Sequence, residues 1–194
     1  MGTTKFRIAI FASGSGTNAE AIMEYFQNDP QIEVVLLLSN KPEAGALTRA
    51  RNFKVLTKIF NKAQVRERDE VLNWLKEATV THVVLAGFLW LVPEKILTTF
   101  PDRIINIHPA LLPKFGGKGM YGSKVHEAVI ASREKETGIT IHEVNEHFDE
   151  GKVLFQASCR VEVTDTAGMI AHKIHVLEHA HYPKVIEEWI LKGR

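Results

Sequence analysis

The sequence predicts an α/β fold, because short apolar runs alternate with segments of helical periodicity through the first half of the chain. That order is typical of β-α-β units, whose strands form a parallel sheet through right-handed crossovers. A glycine-rich turn follows the first apolar run. Two further β-type runs, separated by an acidic turn, lie towards the C-terminus and indicate an antiparallel pair. We therefore expect an open, mostly parallel Rossmann-like sheet with helices on both faces and an antiparallel C-terminal strand pair.

Hydrophobic periodicity assigns the elements of the first half. Continuous apolar runs of about four to eight residues indicate strands that are buried on both faces. Apolar residues spaced three and four apart indicate helices that pack by one face. Strands are expected at 6–12, 32–38, 54–60 and 81–86, and helices at 18–27, 46–52 and, without interruption, 64–78.

The second half is less regular. Pro113 and a series of glycines make 112–123 a long loop, and Pro183 is expected to bend the terminal helix. Strands are expected at 103–107, 138–144 and 153–163, and helices at 124–133 and 165–191. Because no repeat and no Pro/Ser-rich linker interrupts the pattern, a single domain covering residues 1–194 is expected.

Charge and cysteine content exclude several functional classes. The 194 residues include 24 Lys and Arg and 23 Asp and Glu, a formal net charge of +1, which argues against a general nucleic-acid binder. The single cysteine, Cys159, cannot form an intrachain disulfide, so a reducing compartment is favoured. The N-terminus shows no targeting segment, and no apolar run approaches the roughly 20 residues of a membrane helix. We expect a cytoplasmic protein that binds neither nucleic acid nor a membrane.

The glycine-rich segment 13–19 is a candidate anion site. It follows an expected strand and opens an expected helix, whose N-terminus offers free N–H groups and a partial positive charge. Gly14, Gly16 and Ala19 also match a dinucleotide-binding spacing. The second strand, however, ends without the acidic residue that a dinucleotide site uses. Three interpretations stay open, in falling order of preference: phosphate binding, a plain tight turn and dinucleotide binding.

A group of polar residues at the end of an expected strand suggests a catalytic site. Asn106 and His108 alternate on an expected strand, so their side chains share one face at its carboxyl end. Asparagine can donate to a developing oxyanion, and histidine can transfer a proton near neutral pH. Asp149, in the acidic turn, is one candidate to orient the histidine and stabilise its cation. The alternative reading of these residues is a strand-end histidine in an ordinary hydrogen bond.

The same segments carry a family resemblance. Residues 106–114, Asn-Ile-His-Pro-Ala-Leu-Leu-Pro-Lys, resemble the signature of the folate-dependent formyltransferases. Four other segments also resemble that family, in the same order along the chain. Residues 13–18 resemble its phosphate loop and 84–88 its fourth strand, while 148–156 resemble its folate-loop segment and 178–183 its C-terminal helix. It covers nearly the whole chain, and several motifs in the right order are more specific than any one of them.

The resemblance implies a role for each matching residue. The catalytic residues would be Asn106, His108 and Asp149. The acceptor would be bound by Ser15, Gly16, Thr17, Asn18, Pro109 and Glu178, with Gly16 to Asn18 on a phosphate and Glu178 on ribose hydroxyls. The folate would be bound by Leu89, Trp90, Leu91, Val92, Asn106, Asn145, Glu146, His147 and Phe148. No metal is implied.

The implied reaction moves the formyl group of 10-formyltetrahydrofolate to the amine of glycinamide ribonucleotide, a step of purine biosynthesis. Asn106 and protonated His108 would stabilise the oxyanion, and His108 or a water held by Asp149 would pass on the proton. Both partners are small molecules, and a monomer or homodimer is expected. The alternatives are a related transferase or hydrolase with another acceptor, and a phosphometabolite-binding module without chemistry. The charge of +1 and the chain length disfavour an initiator-tRNA acceptor, which needs a basic face and an extra domain.

Several positions depart from the family pattern. Trp90 stands where many members have arginine, and Ala110 replaces a frequent serine. The glycine-rich insert 116–122 replaces a shorter stretch that contains a phosphate-binding histidine, so Lys118 is a candidate for that role. Gln64 occupies the expected position of an arginine for the acidic folate tail, with Arg66 nearby.

Three histidines of the terminal helix form a separate pattern. His172, His175 and His179 fall on one helical face, a spacing that a metal site can use. The metalloprotease-type H-E-x-x-H motif is absent from the sequence. Ordinary core or surface histidines are therefore the favoured interpretation.

Overall fold

The structure is a computed structural model that describes residues 5–193. Seven strands form one sheet in the order β3-β2-β1-β4-β5-β6-β7. They are β1 (Phe6–Phe11), β2 (Ile32–Ser39), β3 (Leu56–Ile59), β4 (His82–Leu85), β5 (Ile104–His108), β6 (Glu136–Glu143) and β7 (Val153–Arg160). The first five strands pair in parallel, whereas β6 pairs antiparallel with β5 and β7. The predicted fold class is confirmed, including the antiparallel pair at the C-terminal end.

Helices follow most of the strands and cover both faces of the sheet. Within residues 5–193 they are α1 (Thr17–Tyr25), α2 (Gly45–Asn52), α3 (Lys62–Arg66), α4 (Glu70–Glu77), α5 (Glu94–Thr99), α6 (Ser123–Ala131) and α7 (Ala167–Lys192). Across that part of the chain, no helix has the length and apolar character needed to cross a membrane.

Each face of the sheet has its own hydrophobic core, because successive strand residues point to opposite faces. On one face, Ile8 and Ile10 of β1 pack with residues of α1, α2 and α7. On the other face, Ala9 and Phe11 pack with residues of α3, α4 and α5. Burial on both sides explains why the central strands are continuous apolar runs in the sequence.

The prediction of one unbroken helix over 64–78 is wrong, because the segment forms α3 and α4. Asn61 begins α3 in a reciprocal capping pair with Gln64, and the helix ends at Arg66. Residues 67–69 are Glu, Arg and Asp, so no apolar side chain holds a helical turn against the core there. Asp69, a residue type that favours the N-cap position, then begins α4.

Other differences are local. Helix α5 is not among the elements expected from the sequence, although a proline beside a helix start, here the N-cap Pro93, is a recognisable signal. The strand expected at 54–60 is shorter, because Lys54 adopts a left-handed φ of 59° and turns the chain before the edge strand β3. The terminal helix begins after Thr166, whose hydroxyl accepts a hydrogen bond from the Met169 N–H, and it continues through Pro183.

Candidate active site

A cleft of about 620 Å³ opens at the carboxyl ends of β1, β4 and β5. The sheet order makes this the topological switch point, because the chain proceeds outward from β1 through β2 and β3 on one side and from β4 through β5 on the other. Open α/β sheets bind ligands in such a crevice. The walls come from the loops after β1, β4 and β5 and from α6 and α7.

The turn after β1 presents the N-terminus of α1 to the cleft. Gly16 is the N-cap residue, with a left-handed φ of 80°, and no side chain caps the helix. A Cβ atom on Gly16 would lie 2.4 Å from the Cα of Ala46. Glycine is therefore needed both for the backbone conformation and for the close approach of α2. The first N–H groups of α1 stay available for an anion.

Ser13 joins the loops that follow β1, β2 and β4. Its N–H donates to the Gly87 carbonyl at 3.0 Å, and its hydroxyl donates to Asn40 Oδ1 at 2.7 Å. The same hydroxyl accepts from the Leu89 N–H at 3.2 Å. These bonds fix the glycine-rich turn relative to residues 87–89 on the opposite wall.

Helix α7 brings a buried carboxyl group to the start of α1. Glu178 Oε2 accepts from Asn18 Nδ2 at 2.8 Å, whereas Asn18 Oδ1 is buried and has no partner within residues 5–193. Burial raises the pKa of Glu178 to about 7, and the bond from Asn18 opposes that rise only in part. One turn later, the Tyr182 hydroxyl donates to the Leu85 carbonyl at 2.9 Å and so holds α7 against the end of β4.

Asn106 is oriented by His142, a residue of β6 that is not among the predicted site residues. The two residues lie opposite each other in the β5–β6 pair, with Asn106 Nδ2 3.1 Å from His142 Nε2. His142 Nδ1 lies 2.8 Å from the Glu143 carbonyl, which can only accept, so Nδ1 carries the hydrogen and Nε2 accepts from Asn106. The Asn106 amide keeps its second N–H hydrogen for a ligand.

His108 lies at the end of β5 and is 3% exposed. Its Nε2 is 2.8 Å from the Phe115 carbonyl, so Nε2 carries a hydrogen and Nδ1 is the atom that can take up a proton. Burial lowers the pKa of His108 below the ordinary value of 6.5, and the charge of Asp149 opposes this in part. The resting ring is therefore neutral near neutral pH.

Asp149 lies between the two histidines. Its Oδ2 is 3.5 Å from His108 Nδ1, and its Oδ1 is 3.6 Å from His142 Nε2. Oδ2 also accepts from the Gly117 N–H at 2.9 Å. Burial acts to raise the pKa of Asp149, but its polar surroundings, among them the bond from the Gly117 N–H, outweigh burial and hold the pKa below its ordinary value. Asp149 is therefore an ionised carboxylate beside His108 Nδ1, the ring atom that is able to take up a proton.

The loop after β5 forms hydrogen bonds with both His108 and Asp149. Thr140 of β6 fixes its start, since the Thr140 hydroxyl donates to the Ala110 carbonyl at 2.7 Å and accepts from the Leu112 N–H at 3.0 Å. Further along, the Phe115 carbonyl meets His108 and the Gly117 N–H meets Asp149. The glycine-rich insert is thus part of the site's wall.

Most of the predicted site residues line two adjoining cavities. The large cleft is lined by Ser15, Gly16, Thr17, Asn18, Leu89, Asn106, His108, Pro109, Phe148, Asp149 and Glu178. A side cavity of about 50 Å³ is lined by Trp90, Leu91, Val92 and His147, together with Asn106, Phe148 and Asp149. Asn145 and Glu146 line neither of these two cavities, and Asn145 Oδ1 instead accepts from the His147 N–H at 2.9 Å.

The positions that depart from the family pattern also divide into residues that line a cavity and residues that do not. Lys118 lines the large cleft, whereas Gln64 and Arg66 line neither cavity. Gln64 is occupied elsewhere, because it caps α3 and its Nε2 donates to Glu70 at 2.6 Å. A further histidine, His126 of α6, lines the cleft but is not among the predicted site residues.

The three histidines of α7 at positions 172, 175 and 179 do not form one group. His175 lines the cleft, and its ring stacks on that of His179 with centroids 6.2 Å apart. His172 is exposed and lies outside the cleft lining. In the part of the chain that the structure describes, no group of three or more His, Cys, Asp or Glu side chains is arranged to hold a metal ion.

Comparison with known proteins gives one consistent family. The family model described as formyl transferase matches residues 6–186. A chloroplastic phosphoribosylglycinamide formyltransferase from Arabidopsis thaliana is 41% identical over 187 residues, covering 93% of this chain and 64% of the relative. The chain thus spans less than two thirds of that plant protein. A phosphoribosylglycinamide formyltransferase from Bacillus subtilis is 34% identical over 189 residues, covering 94% of this chain and 93% of the relative.

A solved structure extends the likeness to three dimensions. The crystal structure of phosphoribosylglycinamide formyltransferase from Bacillus halodurans superposes with a TM-score of 0.85 at 37% sequence identity. The superposition covers 97% of this chain and 97% of that one. It therefore includes nearly all of the sheet, helices and loops that surround the cleft.

Proposed function

The chain belongs to the formyl transferase family, and on that premise we propose that it transfers the formyl group of 10-formyltetrahydrofolate to the amine of glycinamide ribonucleotide, as in purine biosynthesis. The products are formylglycinamide ribonucleotide and tetrahydrofolate. The names of relatives at 41% and 34% identity support this choice of reaction. The cleft supports it as well, since an anion-binding helix start and a proton-accepting histidine line the same space.

The observation that carries the proposal is the convergence of Asn106, His108 and Asp149 on one cleft. Asn106 offers a free N–H hydrogen, because only one of its two amide hydrogens is used by His142. His108 offers an unprotonated Nδ1, and Asp149 lies 3.5 Å from that atom. A hydrogen-bond donor, a proton acceptor and a stabilising charge are the groups that acyl transfer to an amine requires.

In the first step, the amine of the acceptor attacks the formyl carbon and a carbon–nitrogen bond forms. The carbonyl oxygen becomes an oxyanion, to which Asn106 Nδ2 donates. His142 keeps the amide in the donating orientation, because its own Nδ1–H is fixed by the Glu143 carbonyl. Removing one such donor costs about 10²–10³ in rate in related chemistry.

In the second step, a proton leaves the attacking nitrogen and the bond to the folate nitrogen breaks. His108 Nδ1 takes the proton, since Nε2 already donates to Phe115. Asp149 stabilises the resulting cation, which then returns the proton to the departing nitrogen. Protonated His108 therefore acts within the reaction rather than in the resting enzyme, whose ring is neutral.

The acceptor is held at the other end of the cleft. The uncapped N–H groups at the start of α1, from Gly16 to Asn18, bind its phosphate. Glu178, whose pKa is about 7, can both donate to and accept from ribose hydroxyls near neutral pH. Lys118 lines the same cleft and adds a positive charge near the phosphate.

The folate is proposed to enter between residues 89–92 and 145–148. Trp90, Leu91 and Val92 give this side apolar walls that suit a flat ring system. The cavity of about 50 Å³ is smaller than a pterin, so the proposal includes an outward shift of residues 145–148 on binding. Because a hydrogen-bond donor and a proton acceptor are in place, the proposed reaction needs no metal. The proposal involves neither nucleic acid nor a membrane, and it places the protein in the cytoplasm as a monomer or homodimer.

Turnover tests the proposal directly. The protein is mixed with 10-formyltetrahydrofolate and glycinamide ribonucleotide, and the absorbance of the folate is followed. Loss of formyl-folate only in the presence of glycinamide ribonucleotide is the expected result. Loss without any acceptor would instead indicate a hydrolase. Absence of turnover with both substrates present would contradict the proposal, and activity with a different amine would identify another member of the family.

A further inference from the structure

The glycine-rich turn after β1 lies against the first half of α2, which binds two carbonyl groups of the turn. The Ala46 N–H donates to the Gly14 carbonyl at 3.3 Å. Arg49 Nε donates to the Ser15 carbonyl at 3.0 Å. A Cβ atom on Gly45 would lie 2.9 Å from the Ser15 carbonyl oxygen, so the absence of a side chain there admits this close approach. Both carbonyl groups therefore face α2.

The direction of these carbonyl groups determines where the N–H groups of the turn point. Both peptide bonds are trans, and the C=O and N–H of a trans peptide point in opposite directions. The N–H groups of Ser15 and Gly16 therefore point away from α2. Both residues line the cleft, and within residues 5–193 neither N–H forms a hydrogen bond. These two donors are available to a ligand in the cleft.

Arg49 lies outside the cleft lining and is partly exposed. Its Nη1 forms an ion pair with Glu20 of α1, while its Nε is bonded to the Ser15 carbonyl. One guanidinium group thus connects α2, the turn and α1. Because Arg49 does not line the cleft, it can influence a ligand there only through the turn or through its charge.

The Ser15–Gly16 peptide has a competing orientation when its carbonyl group is not held. One of the two dihedral angles that flank this peptide belongs to Gly16, and glycine tolerates a wide range of dihedral angles. A rotated peptide would turn its carbonyl oxygen towards the cleft and its N–H away from it. That oxygen carries a partial negative charge and repels an anion. A population of rotated molecules would therefore lower the apparent affinity for an anionic ligand.

We propose that Arg49 is a positioning residue for acceptor binding, which fixes the Ser15–Gly16 peptide with its N–H towards the cleft. Arg49 acts by donating from Nε to the Ser15 carbonyl and does not touch the acceptor. The turn then meets the acceptor phosphate in the binding orientation, so no affinity is lost to a rotated population. The inference rests on the proposed function, which supplies a phosphorylated acceptor.

Two replacements of nearly equal length separate the hydrogen bond from the charge. The amide nitrogen of glutamine is as many bonds from Cα as arginine Nε, so Arg49→Gln keeps a donor for the Ser15 carbonyl. Arg49→Met places a methyl group at that position and cannot donate. Both variants lose the positive charge and the ion pair with Glu20, so any effect of charge on the anionic acceptor is common to the two.

Calorimetric titration of glycinamide ribonucleotide into the full chain, without folate, measures the dissociation constant. We expect Arg49→Met to bind about tenfold more weakly than wild type, and Arg49→Gln to bind within about threefold of wild type. Arg51→Met, at an exposed position of the same helix, is the matched control and should keep the wild-type affinity. Unfolding curves verify that each variant is folded at the temperature of the titration.

Turnover distinguishes the positioning of the turn from general damage to the site. The side chains of Asn106 and His108 are held by bonds that do not involve the turn. At saturating glycinamide ribonucleotide, kcat of Arg49→Met should therefore stay within about twofold of the wild-type value, while KM rises. A fall in kcat as large as the loss of affinity would overturn the inference.

The outcomes also separate this inference from the proposed function. Equal dissociation constants for Arg49→Met and Arg49→Gln would overturn the inference, because the hydrogen bond to Ser15 would then make no difference. Wild-type affinity in Arg49→Met would overturn it as well. In each of these cases wild type still binds the acceptor, so the proposed function stands. If wild type does not bind glycinamide ribonucleotide, the proposed function fails and the inference fails with it.

Discussion

The two ends of the cleft differ in whether their polar atoms already have partners. The proposed catalytic corner consists of Asn106, His108, His142 and Asp149, and each of these side chains is hydrogen-bonded to another residue. The proposed acceptor end consists of residues 15–18 and Glu178. There, α1 has no side-chain cap, and Asn18 Oδ1 is buried without a partner among residues 5–193.

This difference indicates a division of labour. Catalytic groups have to be oriented before the substrate arrives, because rate depends on preorganised donors and charges. A binding surface gains when the ligand supplies missing partners, since an unsatisfied buried polar group costs about 1–3 kcal/mol. Substitutions in the catalytic corner should therefore change the rate, and substitutions at the acceptor end should change affinity or stability.

The largest effect is expected from His108→Ala. Loss of the proton acceptor should lower kcat by about 10³-fold, within the usual range for general acid–base catalysis. Steady-state rates from the folate absorbance give kcat and KM separately. His172→Ala, an exposed histidine outside the cleft lining, is the control and should keep the wild-type rate. Near-normal kcat in His108→Ala would remove the histidine from the mechanism.

At the acceptor end, replacing Glu178 by glutamine should change how the stability of the protein depends on pH. The pKa of Glu178 is about 7 in the folded protein, above the ordinary 4.5, so the folded state holds a proton that the unfolded state releases. Wild type should therefore lose stability as the pH rises from about 4.5 through about 7, by up to about 3 kcal/mol. Glutamine can still accept from Asn18 but does not ionise, so this loss should be absent in Glu178→Gln.

Urea unfolding at several pH values measures this effect. The stability of Glu178→Gln relative to wild type should grow between about pH 5 and about pH 8. Glu24→Gln, at an exposed position of α1, should follow wild type throughout. If the stabilities of wild type and Glu178→Gln changed with pH in parallel, Glu178 would ionise normally in the folded protein.

Asp149→Asn tests whether charge matters in the catalytic corner. The amide oxygen can still accept from the Gly117 N–H, but the negative charge beside His108 Nδ1 is lost. We expect kcat to fall by about 10²-fold. That charge raises the pKa of His108, so its removal should move the acidic limb of the pH–rate profile to lower pH. Glu150→Gln changes an exposed neighbouring carboxylate and should alter neither property.

The smallest of these effects is expected from Gly16→Ala. The new Cβ would meet the Ala46 Cα at 2.4 Å in a backbone with φ of 80°, which should cost about 2 kcal/mol of stability. Gly14→Ala is the matched control in the same turn, because a Cβ there meets no atom within 4 Å. Thermal unfolding of both variants is the measurement. Equal Tm values would show that the turn does not depend on glycine at residue 16.

The sequence predicts the two ends of the cleft unequally. Strand alternation is enough to bring Asn106 and His108 to one face, and a glycine turn opening a helix is enough to locate an anion site. The sequence does not predict the partners that orient these groups. His142 faces Asn106 only because of the register between β5 and β6, which alternation alone does not determine.

The same limit applies to the packing of helices. His126 and His175 share a cleft because α6 packs against α7, a contact between segments about fifty residues apart that no local pattern reveals. The break between α3 and α4 is missed for a related reason. Apolar residues flank it at Val65 and Val71, and the polar residues 67–69 between them are as compatible with an exposed helical turn as with a break.

The division between the two ends is tested most directly by the affinity of His108→Ala for glycinamide ribonucleotide, measured by calorimetry without folate. The dissociation constant should stay within about threefold of the wild-type value, although turnover is nearly lost. Such a result would show that the catalytic corner and the acceptor end act separately. Binding about tenfold weaker or more would contradict the account, because His108 would then be part of the surface that holds the acceptor.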